Sequence, residues 1–81
     1  MSANETRLRK VMADIFHILP ETIGVDTSVD TVDKWDSLTH LNLILALEQE
    51  FDVSFSEEEV VESLNYPLVK MALEAHGLKF D

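Results

Sequence analysis

The chain contains no cysteine. That excludes a disulfide framework and a cysteine–histidine zinc cluster, leaves core packing as the source of stability, and fits a cytoplasmic setting. Glycine and proline are scarce, two of each, which argues against a disordered or low-complexity chain. With 46% apolar residues over 81 positions, the composition fits one helical domain spanning residues 1–81. A long apolar run is also missing: the charged stretch Met1–Lys10 leads into no uninterrupted apolar segment, so neither a signal peptide nor a membrane span is supported. Basic residues are few, six against sixteen acids, for a net charge of −10. Between Val11 and Val69 thirteen acids face Lys34 alone, a field that repels nucleic acid and attracts basic protein surfaces, although solubility is the plainer reason for an acidic surface.

What is present is helical periodicity. Asn4 can cap a helix running to about Leu19, in which Leu8, Val11, Met12, Ile15, Ile18 and Leu19 recur every three or four residues. Pro20 argues against its continuation, and Glu21–Asp36 reads as a long loop that Ile23, Val25, Val29 and Val32 pin to the core. A second helix, Ser37–Phe51, carries two apolar stripes on opposite sides: Leu43, Ile44, Leu47 and Phe51 on one, and Leu38, Leu41 and Leu45 on the other. A helix buried on one face needs only one stripe, so the first is assigned to the core and the second to partners. Thr39, Asn42, Ala46 and Gln49 form a flank between them. After the turn Asp52–Phe55, Ser56 with Glu59 spells a capping box on a short third helix whose Val60, Val61 and Leu64 are expected to face inward. Pro67 suits a first helical position, and Leu68, Met71, Ala72 and Ala75 carry a last helix that Gly77 stops. The expected fold is all-α, a four-helix bundle with a long loop between helices one and two and a short third helix.

The chemistry concentrates at Asp36-Ser37-Leu38, where a hydroxyl stands at the start of a helix, a place suited to an anionic group. Taken alone, the tripeptide reads as an ordinary N-cap.

Trp35-Asp36-Ser37-Leu38 opening Leu41–Phe51, followed by Phe55-Ser56-Glu57-Glu58-Glu59, resembles the acyl carrier protein family over nearly the whole chain. The resemblance implies that Ser37, flanked by Asp36 and Leu38, is the attachment site of 4′-phosphopantetheine, transferred from coenzyme A by a phosphopantetheinyl transferase. It further implies that the arm's thiol carries an acyl or aminoacyl group as a thioester. A loading ligase or transferase and downstream synthase or transferase enzymes are the implied partners, and the protein is expected to be a monomer without catalytic residues. Trp35 stands where carriers of primary fatty acid synthesis have a small residue, and Thr39 and Asn42 where they have acids. Those departures look more like dedicated carriers of polyketide, peptide, D-alanyl or other accessory pathways.

Three rival readings start from the same residues. Asp36, Ser37 and His40 can be drawn as a hydrolytic triad, but no glycine-rich oxyanion element accompanies them, and His40 is instead expected to be solvated beside the arm. His17 and His76 stand isolated, with no metal-ligand spacing. Asp26, Asp30, Asp33 and Asp36 can be drawn as a calcium loop, which fails because Thr31 and Ser37 occupy the positions that need glycine and a bidentate glutamate. The third is an unmodified helical interaction module in which Ser37 is only a cap.

Overall fold

The computed structural model describes residues 3–80; Met1, Ser2 and Asp81 of the expected 1–81 domain lie outside them. Four α-helices follow in order: α1 Ala3–Phe16, α2 Ser37–Phe51, α3 Glu57–Glu62 and α4 Tyr66–Ala75. A short 3-10 turn, Pro20–Thr22, opens the loop between α1 and α2. Leu8, Met12 and Phe16 of α1 meet Leu43, Leu47 and Phe51 of α2 and Tyr66, Val69 and Leu73 of α4 in one continuous core. The loop inserts Ile23 and Trp35 into that core.

Three helices end by the same device. His17, Asp52 and Gly77 adopt left-handed backbone at φ 57°, 54° and 93°. The amide one residue further then reaches back five positions: Ile18 to the Ala13 carbonyl at 3.1 Å, Val53 to Glu48 at 3.2 Å and Leu78 to Leu73 at 3.3 Å. Each reversal drops an apolar residue, Ile18, Val53 or Leu78, onto the core, which is the hydrophobic contact that accompanies this cap. The first helix therefore stops at Phe16, three residues before the expected Leu19, because seating Ile18 against the core requires the chain to turn at His17.

The loop is built on hydroxyl-capped turns. Gly24 N–H donates to Thr27 Oγ1 at 2.9 Å and Ser28 N–H to Thr31 Oγ1 at 2.9 Å. An antiparallel bridge, Ser28 with Asn65, fastens the loop to the α3–α4 connection through Val29 N–H to Leu64 O at 3.0 Å and Tyr66 N–H to Thr27 O at 2.8 Å. Of the four residues expected to pin this loop, Ile23 is buried and Val29 and Val32 are half-buried, but Val25 is exposed. Thr27 takes the inward place, since its buried hydroxyl is satisfied within the turn.

The capping box forms as expected: Glu59 N–H donates to Ser56 Oγ at 3.2 Å and Ser56 N–H to Glu59 Oε1 at 2.9 Å. The inward face of this helix differs from expectation. A six-residue helix presents about one side chain per turn to a neighbour. Val60 is half-buried, whereas Val61 and Leu64 are exposed, and Ser63 goes inward with its hydroxyl donating to the Glu59 carbonyl. On α4 the buried stripe is Tyr66, Val69 and Leu73; Leu68, Met71 and Ala75 lie at the surface. Asn65 caps that helix through Leu68 N–H at 2.9 Å, so Pro67 sits second rather than first. His76 is not isolated: its Nε2 lies 3.0 and 3.1 Å from the two Glu59 carboxylate oxygens, and its ring meets Phe55 edge-on at 5.5 Å.

α1 and α4 are joined by a polar cluster. Lys70 Nζ donates to Glu5 Oε2 at 2.9 Å, and Tyr66 Oη–H donates to the same oxygen at 3.1 Å. The Lys70 hydrogen bond, helped by Tyr66 and Arg9, holds the Glu5 carboxyl below its ordinary 4.5, and Glu5 in turn raises Lys70. Because the folded value is depressed, this contribution to stability is complete above 4.5 and disappears as pH falls through the lower folded value. We therefore expect Glu5→Gln to lower the thermal midpoint at neutral pH, with the gap to wild type closing in acid. Parallel midpoints at every pH would refute the linkage.

Candidate functional site

The start of α2 is fixed on both sides of Ser37. Asp36 is the N-cap: its backbone is extended (φ −102°, ψ −175°), its Oδ1 accepts the Thr39 N–H at 2.9 Å, and its carbonyl accepts the His40 N–H at 2.8 Å. The Thr39 amide holds the Asp36 carboxyl below the usual aspartate value. Capping thus falls to Asp36, not Ser37, which is the first helical residue. Ser37 is exposed, and among the described residues its hydroxyl has no hydrogen-bond partner. A cap donor is already satisfied without it, so the reading of Ser37 as merely a cap has no support in the geometry.

Beneath Ser37 lies a buried polar relay. Trp35 is 3% exposed, with its ring 4.8 Å from that of Phe16, and its Nε1–H donates to His40 Nδ1 at 3.0 Å. An indole nitrogen can only donate, so His40 Nδ1 is the acceptor and the imidazole proton sits on Nε2. That nitrogen donates to the Val60 carbonyl at 2.6 Å. His40 is therefore not a solvated residue beside an arm: it is 8% exposed, and both ring nitrogens are engaged. The same two bonds remove it as a base for Ser37, since no ring nitrogen is left over to take a proton. The sequence held a signal for this, because His40 falls on the stripe with Leu43, Ile44, Leu47 and Phe51 at helical spacing.

The two stripes of α2 separate as expected. Leu43, Ile44, Leu47 and Phe51 are buried, whereas Leu38, Leu41 and Leu45 are 71%, 53% and 58% exposed. Leu41 borders an open groove of about 550 Å³ between α2, the loop and α3, lined also by Val29, Trp35, Asp36, Ser37, His40, Val60, Val61 and Leu64. The Ser37 side chain stands at the edge of this largely apolar hollow. Asp26, Asp30 and Asp33 are strung along the exposed loop, and among the described residues no three acidic or histidine side chains are grouped to hold a metal ion.

The sequence profile described as "Phosphopantetheine attachment site" matches residues 6–67, from α1 into the start of α4. The chain belongs to the acyl carrier protein family. Acyl carrier proteins of Buchnera aphidicola subsp. Acyrthosiphon pisum, strains Tuc7 and 5A, are each 41% identical to it over 56 residues, 68% of this chain and 69% of theirs. The protein is accordingly a phosphopantetheine-bearing carrier and not an enzyme, and its work requires synthases and transferases that act on what it carries. No helix among the described residues is long and apolar enough to cross a membrane.

The two faces of α2 make opposite forecasts for truncation. Leu47→Ala removes a fully buried side chain and is expected to cost about 2–5 kcal/mol, enough to unfold much of a domain this small. Leu41→Ala is expected to stay within about 0.5 kcal/mol of wild type while slowing modification by a transferase. Urea unfolding paired with transferase rates tests this; an unfolded Leu41→Ala beside a stable Leu47→Ala would invert the faces.

Proposed function

We propose that Ser37 is the residue that carries 4′-phosphopantetheine and that this protein tethers an acyl or aminoacyl group for a dedicated pathway in the cytoplasm. The observation that carries the assignment is the unengaged, exposed Ser37 hydroxyl on the first residue of a helix already capped by Asp36. The residues fit the group. The hydroxyl is free to form a phosphodiester, the amides at the helix start favour a phosphate nearby, and the space above Ser37 is open. When bound, the group supplies the thiol that this cysteine-free chain lacks and holds the cargo as a thioester.

The chain's own part is presentation. Asp36 fixes the helix start, and Leu38, next to Ser37, offers the most exposed leucine of α2 to whatever grips the arm. Leu41 and Leu45 continue that apolar strip. The neighbouring flank of Thr39, Asn42, Ala46 and Gln49 carries no charge. An uncharged flank beside the attachment point gives little purchase to a strongly basic docking surface, which supports a partner set other than that of fatty acid synthesis. A phosphopantetheinyl transferase, a loading ligase or transferase, and a downstream synthase or transferase are the partners this reading requires.

Incubation with coenzyme A and a promiscuous transferase is expected to add one phosphopantetheine, mapped to Ser37 by peptide mass. Ser37→Ala should lose the adduct and keep its thermal midpoint, because Asp36 retains the cap. Labelling of the Ser37→Ala protein would defeat the assignment.

A further inference from the structure

We infer that His40 is a positioning residue for the modification of Ser37: through the Val60 carbonyl it sets how α3 stands against α2, and with it the shape of the surface that a transferase grips. This inference rests on the reading of Ser37 as the attachment site. The apolar surface beside Ser37 is divided between two elements, Leu41 on α2, and Val61 and Leu64 on α3 and the turn after it. All three are exposed. A surface split in this way keeps one shape only as far as the joint between the helices is fixed.

α3 has six residues, none of them fully buried, and its capping box of Ser56 and Glu59 joins it only to its own cap. Val60 belongs to the last four residues of the helix, whose carbonyls lack an intrahelical amide. The donor is brought by His40 Nε2–H at 2.6 Å. Among the described residues, this is the hydrogen bond that joins α2 to α3. The neighbouring ties lead elsewhere. The Glu59 carboxylate reaches His76 at the end of α4, the Leu64 carbonyl accepts from Val29 N–H in the loop, and Glu48 of α2 holds the Phe55 amide ahead of the α3 cap. Trp35 keeps His40 turned toward α3, because the indole N–H occupies Nδ1 at 3.0 Å and leaves the proton on Nε2. Neither ring nitrogen is free for the Ser37 hydroxyl, so His40 acts through α3 and not on the reacting atoms.

The test measures transferase kinetics with coenzyme A saturating and the carrier varied, on variants whose fold is checked by thermal midpoint. His40→Leu removes both bonds of the ring. It is expected to raise KM about five- to tenfold, as a recognised form left only partly populated by the loss of a hydrogen bond implies, with kcat within about twofold of wild type. His40→Gln, whose amide can accept from Trp35 and donate to Val60, is expected to keep KM within about twofold of wild type. Val61→Ala should raise KM by itself and add nothing further in the His40→Leu background, where α3 has already left its place. An unchanged KM in folded His40→Leu overturns the inference, as does a fall in kcat at constant KM, or a Gln variant as impaired as the Leu one. If His40→Leu does not fold, the inference stands on a raised KM in Val61→Ala beside a wild-type KM in His40→Gln, and falls if Val61→Ala leaves KM unchanged. Wild-type protein that gains no adduct strikes instead at Ser37 as the attachment site, so the two failures are distinguishable.

Discussion

A buried indole N–H has one requirement, an acceptor, and at the head of α2 everything follows from how that requirement is met. Trp35 donates to His40, which obliges His40 to carry its own proton on the far nitrogen, which in turn needs the Val60 carbonyl. Left unsatisfied, any one of these groups would cost about 1–3 kcal/mol, so the three elements they join are held in register. The loop before α2 is fixed at Trp35, the first turn of α2 at His40, and α3 at Val60. The last matters because no residue of α3 is fully buried. With Asp36 closing the cap just above the relay, the Ser37 hydroxyl is left exposed and, among the described residues, without a hydrogen-bond partner.

Much of this architecture was legible in the sequence, and the portions that were not share a cause. Element order, the α2 boundaries, the capping box at Ser56 and Glu59 and the two faces of α2 follow from local periodicity and capping chemistry. The misreadings arise where tertiary packing chooses among several acceptable local patterns. On α4, Leu68-Met71-Ala75 and Tyr66-Val69-Leu73 both satisfy helical spacing, and the second wins because the Tyr66 hydroxyl finds Glu5 across on α1. At the end of α1, a polar residue before an apolar one recurs as His17-Ile18 and Asp52-Val53, and only the reversal that seats the apolar residue explains why the helix stops there. His40 was misplaced because histidine reads as a surface residue; its partner, the only tryptophan, sits five residues earlier in the loop, beyond any helical repeat.

The paired bases of the molecule tie its helices together. Arg7 pairs with Glu50 at 2.8 Å and lies over the Phe51 ring, while Arg9 and Lys70 converge on Glu5 and Tyr66. These bases are committed to joining α1 with α2 and α4, far in sequence from Glu57, Glu58 and the loop aspartates. Beside Ser37 the exposed Leu38, Leu41 and Leu45 offer an apolar strip.

Nitrogen-detected NMR of the His40 ring reads the Trp35–His40–Val60 relay without any partner enzyme. The relay predicts a His40 ring whose Nδ1 accepts from Trp35 while Nε2 carries the proton given to Val60, together with a Trp35 indole N–H that exchanges slowly with solvent. A proton on Nδ1, or an indole N–H that exchanges as fast as that of a free peptide, would contradict it.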